Sequence, residues 1–402
     1  MNILFVSSGF QLFDKLDCGA SIRSTMFLEA MCHIGSVDVI SFYKNEVKSN
    51  IDNCQVVGCY PIEKKIEELT FSKKMSDLYR LLTNPLSPYT YYLKNDDMER
   101  IVDTQLSKKE YDIICCRYLE EAVNAGLLKY SDKLVIDIDD NLVCAYLRDI
   151  PKMYFKNIFT KGIAYYKAYA IGFMTKYVLK NVKVAFYSNS AESPCKKALY
   201  LPNVTIVNSQ IDDVTDDTPM RILIVGWLDF HPNKDGVLHF VRKVFPQIKR
   251  DIPNVEVHIV GKSKDKTLLD TLNAIDGVVA KGFVENIVDE YKNCRLVVVP
   301  IYSGAGTSVK FVEAIMMNRP VIATKQGVRG LGNDFESGVN YIEVNNDEDF
   351  AKSVTNIIVS IPKLKEMAKQ AKIIGNRNYS KERFIEIVKT EVISKFPQKR
   401  NI

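Results

Sequence analysis

The sequence contains few of the residue patterns that mark a disulfide framework, a metal site or a membrane span. Its nine cysteines are scattered, odd in number and never spaced C-x-x-C, and four histidines and one tryptophan occur in 402 residues. Neither a disulfide framework nor a zinc site is therefore predicted. The longest stretch without a charged residue has 14 residues, as in Leu296–Val309. A membrane-spanning helix needs about 20 apolar residues, so no such helix is expected.

A leader segment and a strong charge of one sign are also lacking. Met1–Phe10 has no basic start and no small-residue cleavage site, so we expect no signal peptide and a cytoplasmic protein. The net charge is +5, with 26% charged and 47% hydrophobic residues. A charge this small permits attraction to anionic lipids or phosphate-bearing substrates but does not predict nucleic-acid binding.

What the chain does contain is a regular alternation of two patterns. Short and mostly unbroken apolar runs alternate with segments of helical periodicity. This alternation predicts an α/β fold with parallel sheets whose strands are buried on both faces. The runs are Ile3–Ser7, Val37–Phe42, Asp112–Cys116, Leu134–Ile138, Val184–Tyr187, Ile222–Gly226, Val255–Gly261, Leu296–Pro300, Val321–Thr324 and Tyr341–Val344.

The alternation occurs twice, which predicts two domains. Asn208–Met220 is polar and acidic without apolar periodicity, so it is interpreted as a linker. We therefore predict one doubly wound domain over residues 1–209, a second over 217–380, and a C-terminal helix within 381–402 that packs back across them. Open α/β sheets bind ligands at the carboxyl ends of their strands, so we expect the chemistry in strand-to-helix loops beside a cleft.

The strongest local signal is the glycine-rich turn Ile301–Gly306, between a predicted strand and a predicted helix over Thr307–Met317. Glycines allow a close backbone approach and a helix start offers free N–H groups, so the turn suits a phosphate, although the P-loop spacing is absent. Gly306, Lys310 and Glu313 share one helix face, which would present an ammonium to phosphate and a carboxylate to a ribose diol. The alternative is a Lys–Glu surface pair beside a glycine turn.

These residues support a family resemblance. Val297–Leu331, VVVPIYSGAGTSVKFVEAIMMNRPVIATKQGVRGL, resembles the hallmark region of the group 1 retaining glycosyltransferases, which have the GT-B fold. Ile222–Phe245 and Lys281–Val284 also resemble segments of that family's donor domain, and Met1–Ala30 and Asp137–Asp140 resemble landmarks of its acceptor domain. The similarity is more specific in the second half of the chain than in the first.

The resemblance implies two Rossmann-like domains whose parallel sheets face an interdomain cleft. The second would bind a nucleotide-diphosphate sugar of the UDP or GDP type, and the first a glycan or lipid-linked acceptor, in bacterial surface polysaccharide synthesis. It implies hexosyl transfer with retention and without a metal or another cofactor. A non-catalytic nucleotide-sugar-binding or scaffolding relative is the alternative, and a nucleotide-sugar epimerase is a third reading. An NAD-dependent enzyme is disfavoured because no G-x-G-x-x-G follows Ile3–Ser7.

Three residues are predicted to be catalytic. Lys234 and Lys310 would stabilise the leaving diphosphate, and Asp140 would orient or deprotonate the acceptor hydroxyl. An exposed turn lysine is the alternative for Lys234, and helix N-capping is the alternative for Asp140. The residues predicted to bind the nucleotide sugar are Gly226, Gly282, Phe283, Val284, Gly304, Gly306, Thr307, Ser308 and Glu313, with Gly19 in the glycine loop of the first domain.

One departure from the family pattern bears on activity. The family often has a glutamate eight residues before the position of Glu313, and here that position is Ala305. The contact that this glutamate usually makes to the transferred sugar is therefore missing from the pattern. This feature favours the non-catalytic alternative.

A basic and aromatic segment suggests a further partner. Met153–Asn189 has six lysines and no acidic residue, and its apolar residues Phe159, Ile163, Tyr166, Ala170, Phe173 and Tyr177 recur on one helix face. This face could belong to a core helix with solvated lysines, or the helix could lie on an anionic membrane. Together with Lys73, Lys74, Tyr89, Tyr91 and Tyr92 of an insertion in the first half, it predicts salt-sensitive peripheral binding at the inner face of a membrane.

Overall fold

The computed structural model describes residues 1–9, 11–13, 19–43, 49–62, 70–155, 157–206, 211–304, 309–331 and 333–397. The chain forms two compact α/β units, Met1–Leu201 together with Phe384–Ile402, and Pro202–Arg383. Each unit has one sheet in which every strand pairing is parallel. The α/β class and the parallel sheets predicted from the apolar runs are confirmed.

The first unit has a seven-stranded sheet in the order β3-β2-β1-β4-β5-β6-β7. Its strands are β1 (Asn2–Ser7), β2 (Ser36–Ser41), β3 (Cys54–Cys59), β4 (Ile113–Arg117), β5 (Leu134–Asp137), β6 (Val184–Tyr187) and β7 (Leu199–Tyr200). Its helices are α1 (Gly19–Cys32), α2 (Phe71–Thr83), α3 (Asp96–Lys108), α4 (Leu119–Asn124), α5 (Leu142–Asp149) and α6 (Ile158–Asn181).

The second unit has a six-stranded sheet in the order β10-β9-β8-β11-β12-β13. Its strands are β8 (Arg221–Val225), β9 (Glu256–Val260), β10 (Val278–Gly282), β11 (Leu296–Val299), β12 (Val321–Thr324) and β13 (Ile342–Val344). Its helices are α7 (His231–His239), α8 (Phe245–Asp251), α9 (Lys266–Asn273), α10 (Ile287–Lys292), α11 (Val309–Met316), α12 (Asp347–Ile358) and α13 (Ile361–Asn378).

The last helix, α14 (Lys381–Lys395), returns the chain to the first unit from Phe384 onward. Phe384, Val388 and Val392 recur at helical spacing and have no exposed surface. The Phe384 ring also lies under the guanidinium of Arg23 in α1, with 5.6 Å between the guanidinium carbon and the ring centroid. The helix predicted near the C-terminus is therefore part of the core of the first unit.

All ten apolar runs form strands, and three further strands were not predicted. β3 and β7 are the two edges of the first sheet, and β10 is an edge of the second. An edge strand is covered less completely, so its sequence needs fewer consecutive apolar residues. In β3, for example, every residue except the exposed Gln55 is only partly buried.

The described part of the predicted linker Asn208–Met220 is packed against the second unit. Ile211 and Val214 belong to that unit's hydrophobic core. Arg295 donates a hydrogen bond to the main-chain oxygen of Asp216 at 2.7 Å. The described residues of the predicted linker Asn208–Met220 therefore belong to the second unit, because a polar segment can be held by its main-chain oxygens as well as by apolar side chains.

The buried face of α6 differs from the predicted one. Ala168, Ile171 and Met174 face the core, whereas the aromatic side chains of the predicted face are exposed, with 72% for Phe159 and 63% for Phe173. The helical period was predicted correctly and the direction of the face was not. α6 packs closely against α5, since a Cβ on Gly172 would lie 3.2 Å from the side chain of Val143 in α5. No helix in the described part of the chain is long and apolar enough to cross a membrane.

The first strand of each unit lies where the strand order reverses. β1 lies between β2 and β4, and β8 lies between β9 and β11. Helices that leave such neighbouring strands diverge to opposite faces of the sheet, which opens a crevice at the carboxyl ends. Loops after β1 and β4, and after β8 and β11, are therefore where each unit is expected to bind a ligand.

Candidate active site

The crevice of the second unit is centred on Lys310. Lys310 lies in the first turn of α11, and its ammonium donates a hydrogen bond to the side-chain oxygen of Asn233 at 2.8 Å. A Cβ atom placed on Gly226 would lie 2.7 Å from Cε of Lys310. The lysine therefore crosses the glycine that follows β8, and any larger residue at position 226 would displace it.

Asn233 is held in the orientation that suits this contact. It lies near the start of α7, is 6% exposed, and its side-chain nitrogen donates to the main-chain oxygen of Trp227 at 2.8 Å. Its amide oxygen is thereby turned toward Lys310. One turn later, a Cβ on Gly236 would lie 1.9 Å from the main-chain oxygen of Pro300, so only glycine lets α7 lie this close to the loop after β11.

The electrostatics of Lys310 favour an anionic ligand. Burial lowers the pKa of Lys310 to about 8, although the neighbouring Glu313 carboxylate acts in the opposite direction. Asn233 is its one hydrogen-bond partner among the described residues, and an ammonium has three N–H donors. Lys310 therefore has N–H donors that remain for a ligand, and no described carboxylate lies within ion-pair distance of its ammonium.

Glu313 lies one turn further along α11, as the spacing predicted. It accepts a hydrogen bond from the hydroxyl of the buried Tyr291 at 2.8 Å. Burial raises the pKa of Glu313, and the hydroxyl and Lys310 act against this rise. Lys310 and Glu313 interact electrostatically on one helix face, so the alternative of an exposed surface pair is not what the structure contains.

The described start of the glycine-rich turn is held by the loop after β12. Gly304 has a φ of +102°, which favours glycine, and its main-chain oxygen accepts hydrogen bonds from Gln326 at 2.8 Å and Arg329 at 2.7 Å. The other predicted residues of this turn, Gly306, Thr307 and Ser308, lie outside the described residues, as does Ala305.

The predicted glycines at the ends of β8 and β10 lie along one edge of the sheet. Gly261, which follows β9, donates its N–H to the main-chain oxygen of Gly282 at 2.8 Å, and a Cβ on it would lie 1.8 Å from the oxygen of Gly226. Gly261 therefore lies between Gly226 and Gly282. Phe283 beyond them is 69% exposed, and Val284 packs partly against the core.

Lys234 makes a different contact from its neighbour Asn233. Its ammonium lies 3.0 Å from a carboxylate oxygen of Asp265, the residue that caps α9, and the two side chains are 37% and 42% exposed. The structure therefore places Lys234 in a half-exposed ion pair. Contact with a diphosphate would require this pair to open or to be shared.

The first unit has a cavity of about 510 Å³ at the carboxyl ends of β1, β4 and β5. Ser8 and Gly9 line it after β1, Tyr118 and Glu121 after β4, and Asp139 and Asp140 after β5. Its described lining contains four carboxylates, adding Glu120 to the three just named, and no lysine or arginine. Such a lining offers hydrogen-bond acceptors to hydroxyl groups.

A buried charge network forms the base of this cavity. Asp137 is bound by Nε of Arg23 at 2.7 Å and by Nε of Arg117 at 3.0 Å, and these guanidinium groups keep the pKa of Asp137 low. Arg117 also reaches Asp139 at 2.6 Å, as expected for two carboxylates on one face. The network ties α1, β4 and β5 together at the point where the cavity opens.

Asp140 faces the cavity and accepts a hydrogen bond from the hydroxyl of Ser188 at 3.0 Å. It does not cap α5, because the N-cap is Asn141, whose side chain accepts from the N–H of Val143 at 3.3 Å. The N-capping alternative for Asp140 is therefore wrong. Gly19 is the exposed first residue of α1, directly before the Ala20 that lines the cavity.

Sequence reasoning missed Glu121, a buried carboxyl in this cavity. Its two oxygens accept hydrogen bonds from the main-chain N–H groups of Ser8 and Arg117, and burial raises the pKa of Glu121 to about 7. The available signal was the acidic pair directly after the β4 apolar run, which is indistinguishable from an ordinary helix start. It also missed Asn233, whose signal was the Pro-Asn turn after the first strand of the second domain.

The sequence of the second unit identifies its family. Residues 219–360 match the family of group 1 glycosyl transferases. The second unit is a group 1 glycosyltransferase domain. The chain is also 23% identical over 386 residues, 92% of its length and 95% of the relative's, to an uncharacterised 44.6 kDa protein in the cps region of Klebsiella pneumoniae.

Solved structures show the fold of the whole chain. Sucrose-phosphate synthase from Thermosynechococcus elongatus matches with a TM-score of 0.67 at 14% identity, over 99% of this chain and 100% of that one. The Anabaena protein HepE, in complex with UDP and glucose, matches with a TM-score of 0.57 at 14% identity, over 99% of both chains. The glycosyltransferase domain and the unit before it together have the GT-B fold, as predicted.

Within the residues that the structure describes, no group of three or more His, Cys, Asp or Glu side chains is arranged to hold a metal ion. The candidate groups of the glycosyltransferase domain are instead a lysine, an amide and several close-approach glycines.

Proposed function

We propose that this chain is a retaining glycosyltransferase. It moves a sugar from a nucleotide-diphosphate sugar of the UDP or GDP type to a hydroxyl of a glycan or lipid-linked acceptor, in polysaccharide synthesis. The observation that carries the proposal is the half-buried Lys310, with its lowered pKa of about 8, at the strand-order reversal of a group 1 glycosyltransferase domain. The match to HepE with UDP and the relative from a cps region support the donor and the pathway.

The reaction needs a cation where the leaving group gains charge. The bond between the anomeric carbon and the phosphate oxygen breaks, and its electron pair stays on the diphosphate. Lys310 then donates N–H bonds to that diphosphate from a half-buried position, where each bond is stronger than it would be in bulk water. Lys234 is the second cation, at the rim. These groups require no resident metal or cofactor.

The acceptor oxygen forms the new bond to the anomeric carbon, and its proton passes to a leaving phosphate oxygen on the same face of the sugar. Retention follows from that geometry and rests on the family resemblance. Asp140 orients the acceptor hydroxyl in the carboxylate-lined cavity. Because the described lining has no cation, we assign to it a neutral sugar residue rather than a uronic acid or a sugar phosphate.

Location at the inner face of a membrane is part of the same proposal. On α6, Phe159, Phe173 and Tyr177 are exposed beside Lys161 and Lys176 in a stretch without acidic residues. Exposed aromatic side chains next to lysines suit the headgroup region of an anionic bilayer. Sedimentation with vesicles should show binding to anionic lipid that weakens with salt; equal recovery with neutral vesicles would favour a soluble acceptor.

The test of the function starts with a thermal-shift screen of UDP, GDP, TDP and CDP. A ligand at 100 times its dissociation constant adds about 2.7 kcal/mol, so the preferred base should be evident. The matching nucleotide sugars are then incubated with the protein, and released nucleotide and transferred sugar are measured. Slow hydrolysis or transfer supports the enzyme. Tight binding without any turnover supports the alternative that Ala305 favours, a nucleotide-sugar-binding relative, and a new nucleotide sugar formed without acceptor supports an epimerase.

A further inference from the structure

A second cavity of the first unit lies beside the carboxylate-lined one. It has a volume of about 390 Å³ and is formed by α2, α6 and the segment 89–93 between α2 and α3. Four cations line it, Lys73, Lys74 and Arg80 from α2 and Lys167 from α6, with Asp77 as the one carboxylate of its described lining. We call this cavity the α2–α6 groove.

The groove and the carboxylate-lined cavity share a wall. Tyr92 lines both volumes, and it is the residue that they have in common. Burial raises the pKa of Tyr92 to about 12, so its hydroxyl stays neutral at any physiological pH. A ligand long enough to pass Tyr92 would lie in both volumes at once.

The two volumes differ in the side chains that line them. The cavity on one side of Tyr92 is lined by carboxylates, of which Asp139 is paired with the buried Arg117, whereas the groove on the other side is lined by three lysines and by Arg80, which is paired with Asp77 at 3.9 Å. A ligand that satisfies both therefore has a neutral, hydroxyl-rich end and an anionic part next to it. A glycan without an anionic group would offer no charge to the ammonium groups of Lys74 and Lys167.

Apolar side chains surround the cationic lining. Leu78 and Leu81 of α2 and Ile163 of α6 line the groove between its cations. Tyr89 and Leu93, which also line it, are 42% and 56% exposed. Cations in a groove with an apolar rim suit a phosphate that carries a hydrocarbon chain, because each part of such a ligand meets side chains of its own kind.

We propose that the α2–α6 groove binds the phosphate that joins lipid and glycan in a lipid-linked acceptor, while the sugar at the other end occupies the carboxylate-lined cavity. This inference rests on the proposed function for the identity of the acceptor. It goes further by separating the acceptor into a sugar subsite and a lipid-phosphate subsite, on the two sides of Tyr92.

The test is a calorimetric titration of the full-length protein with farnesyl diphosphate, a short lipid diphosphate. Lys310→Met protein is used throughout, so that binding of the diphosphate at the donor site is weakened. Lys74→Gln/Lys167→Gln removes two exposed cations of the groove, and we expect it to weaken binding about 10-fold, as for the loss of charge-assisted hydrogen bonds. Lys389→Gln/Lys395→Gln on α14, two exposed lysines outside the groove lining, should change binding less than about 2-fold.

Two further ligands distinguish the parts of the proposal. Farnesol, without phosphate, and inorganic diphosphate, without lipid, should each bind at least 10 times more weakly than farnesyl diphosphate, roughly the loss of one good interaction. Equal binding of inorganic diphosphate would show a site for free phosphate, and equal binding of farnesol a purely apolar site. Either result, or unchanged binding by Lys74→Gln/Lys167→Gln, would overturn the inference.

The outcome is independent of the proposed function. Farnesyl diphosphate binding needs no donor and no turnover, whereas the function is tested by nucleotide binding and transfer in the unsubstituted protein. If the groove binds farnesyl diphosphate but the protein has no transferase activity, the proposed function is wrong and the proposed subsite is supported. If the protein is an active transferase but does not bind farnesyl diphosphate in the groove, only the proposed subsite is wrong.

Discussion

The carboxyl edges of the two sheets hold their polar side chains by opposite means. In the first unit, charges neutralise each other: two arginines and two aspartates form a buried network, and Asp137 at its centre has no exposed surface. In the second unit, a lysine is held by a neutral amide over a glycine, and its charge is not cancelled by a described partner at ion-pair distance. The first arrangement therefore stabilises the fold, whereas the second leaves a positive charge with which a ligand can interact.

This difference predicts which substitutions reduce the stability of the protein and which reduce its activity. A buried ion pair that loses one partner leaves an uncompensated charge, which is strongly destabilising. A cation that is buried without a carboxylate already carries that cost, so its removal harms binding rather than folding. The following substitutions test this contrast, from the largest expected effect to the smallest.

Asp137→Asn should have the largest effect on folding. It leaves Arg23 and Arg117 with one described carboxylate, Asp139, between them, and we expect the free energy of unfolding to fall by about 3–5 kcal/mol. The measurement is urea unfolding followed by circular dichroism. Asp97→Asn, at an exposed pair with Arg100, is the matched control and should cost less than about 1 kcal/mol. If both substitutions lowered the free energy of unfolding by a similar small amount, the charge network would not be what stabilises the carboxyl edge of the first sheet.

Lys310→Met should have the largest effect on activity. Removing a donor from a charge that develops in the transition state costs about 10²–10³-fold in turnover. Its thermal midpoint should not fall, because a lysine with a lowered pKa opposes folding. Lys352→Met, at an exposed pair with Glu348, should retain activity. Unchanged turnover in Lys310→Met would exclude the phosphate role.

The affinity for UDP should fall as the pH rises through about 8. Below that pH the ammonium of Lys310 is charged, and above it the group loses its proton in the free protein, because the pKa lies below the ordinary lysine value. Between pH 7 and pH 9 the charged fraction falls by about 10-fold, and we expect the dissociation constant to rise by the same factor. In Lys310→Arg the guanidinium keeps its charge, so its curve should be flat over this range. A pH dependence that persists in Lys310→Arg would assign the titration to another group.

Lys234→Gln should have the smallest effect. The ammonium is half-exposed and paired with Asp265, so we expect turnover to fall about 3-fold, the range of a solvent-exposed ion pair. Asp265→Asn, which frees the same lysine, should leave turnover within a factor of about 2. A loss in Lys234→Gln as large as in Lys310→Met would mean that both lysines bind the diphosphate together and that the rim position is wrong.

Much of the fold could be predicted because central parallel strands must be apolar on both faces. Edge strands such as β3 escape that requirement, and three of the four edge strands, β3, β7 and β10, were missed. In the site, Lys310 and Glu313 are found by helical spacing and Gly226 by its position after a strand. The network of the first unit joins Arg23 to Asp137 across 114 positions, a pairing that no local pattern contains. The direction of α6 depends equally on what packs against it.

The position of α14 has a consequence for how the protein is made. Phe384, Val388 and Val392 complete the core of the first unit, yet a ribosome reaches them only after the whole second unit has been synthesised. Domains generally fold as units during synthesis, so a nascent chain has a completed second unit while its first unit still lacks a helix. Until then, Arg23 lacks the aromatic ring that lies under its guanidinium in the finished protein. A chain cut short within its last 20 or so residues would be expected to expose that apolar surface and become a substrate for quality-control proteases.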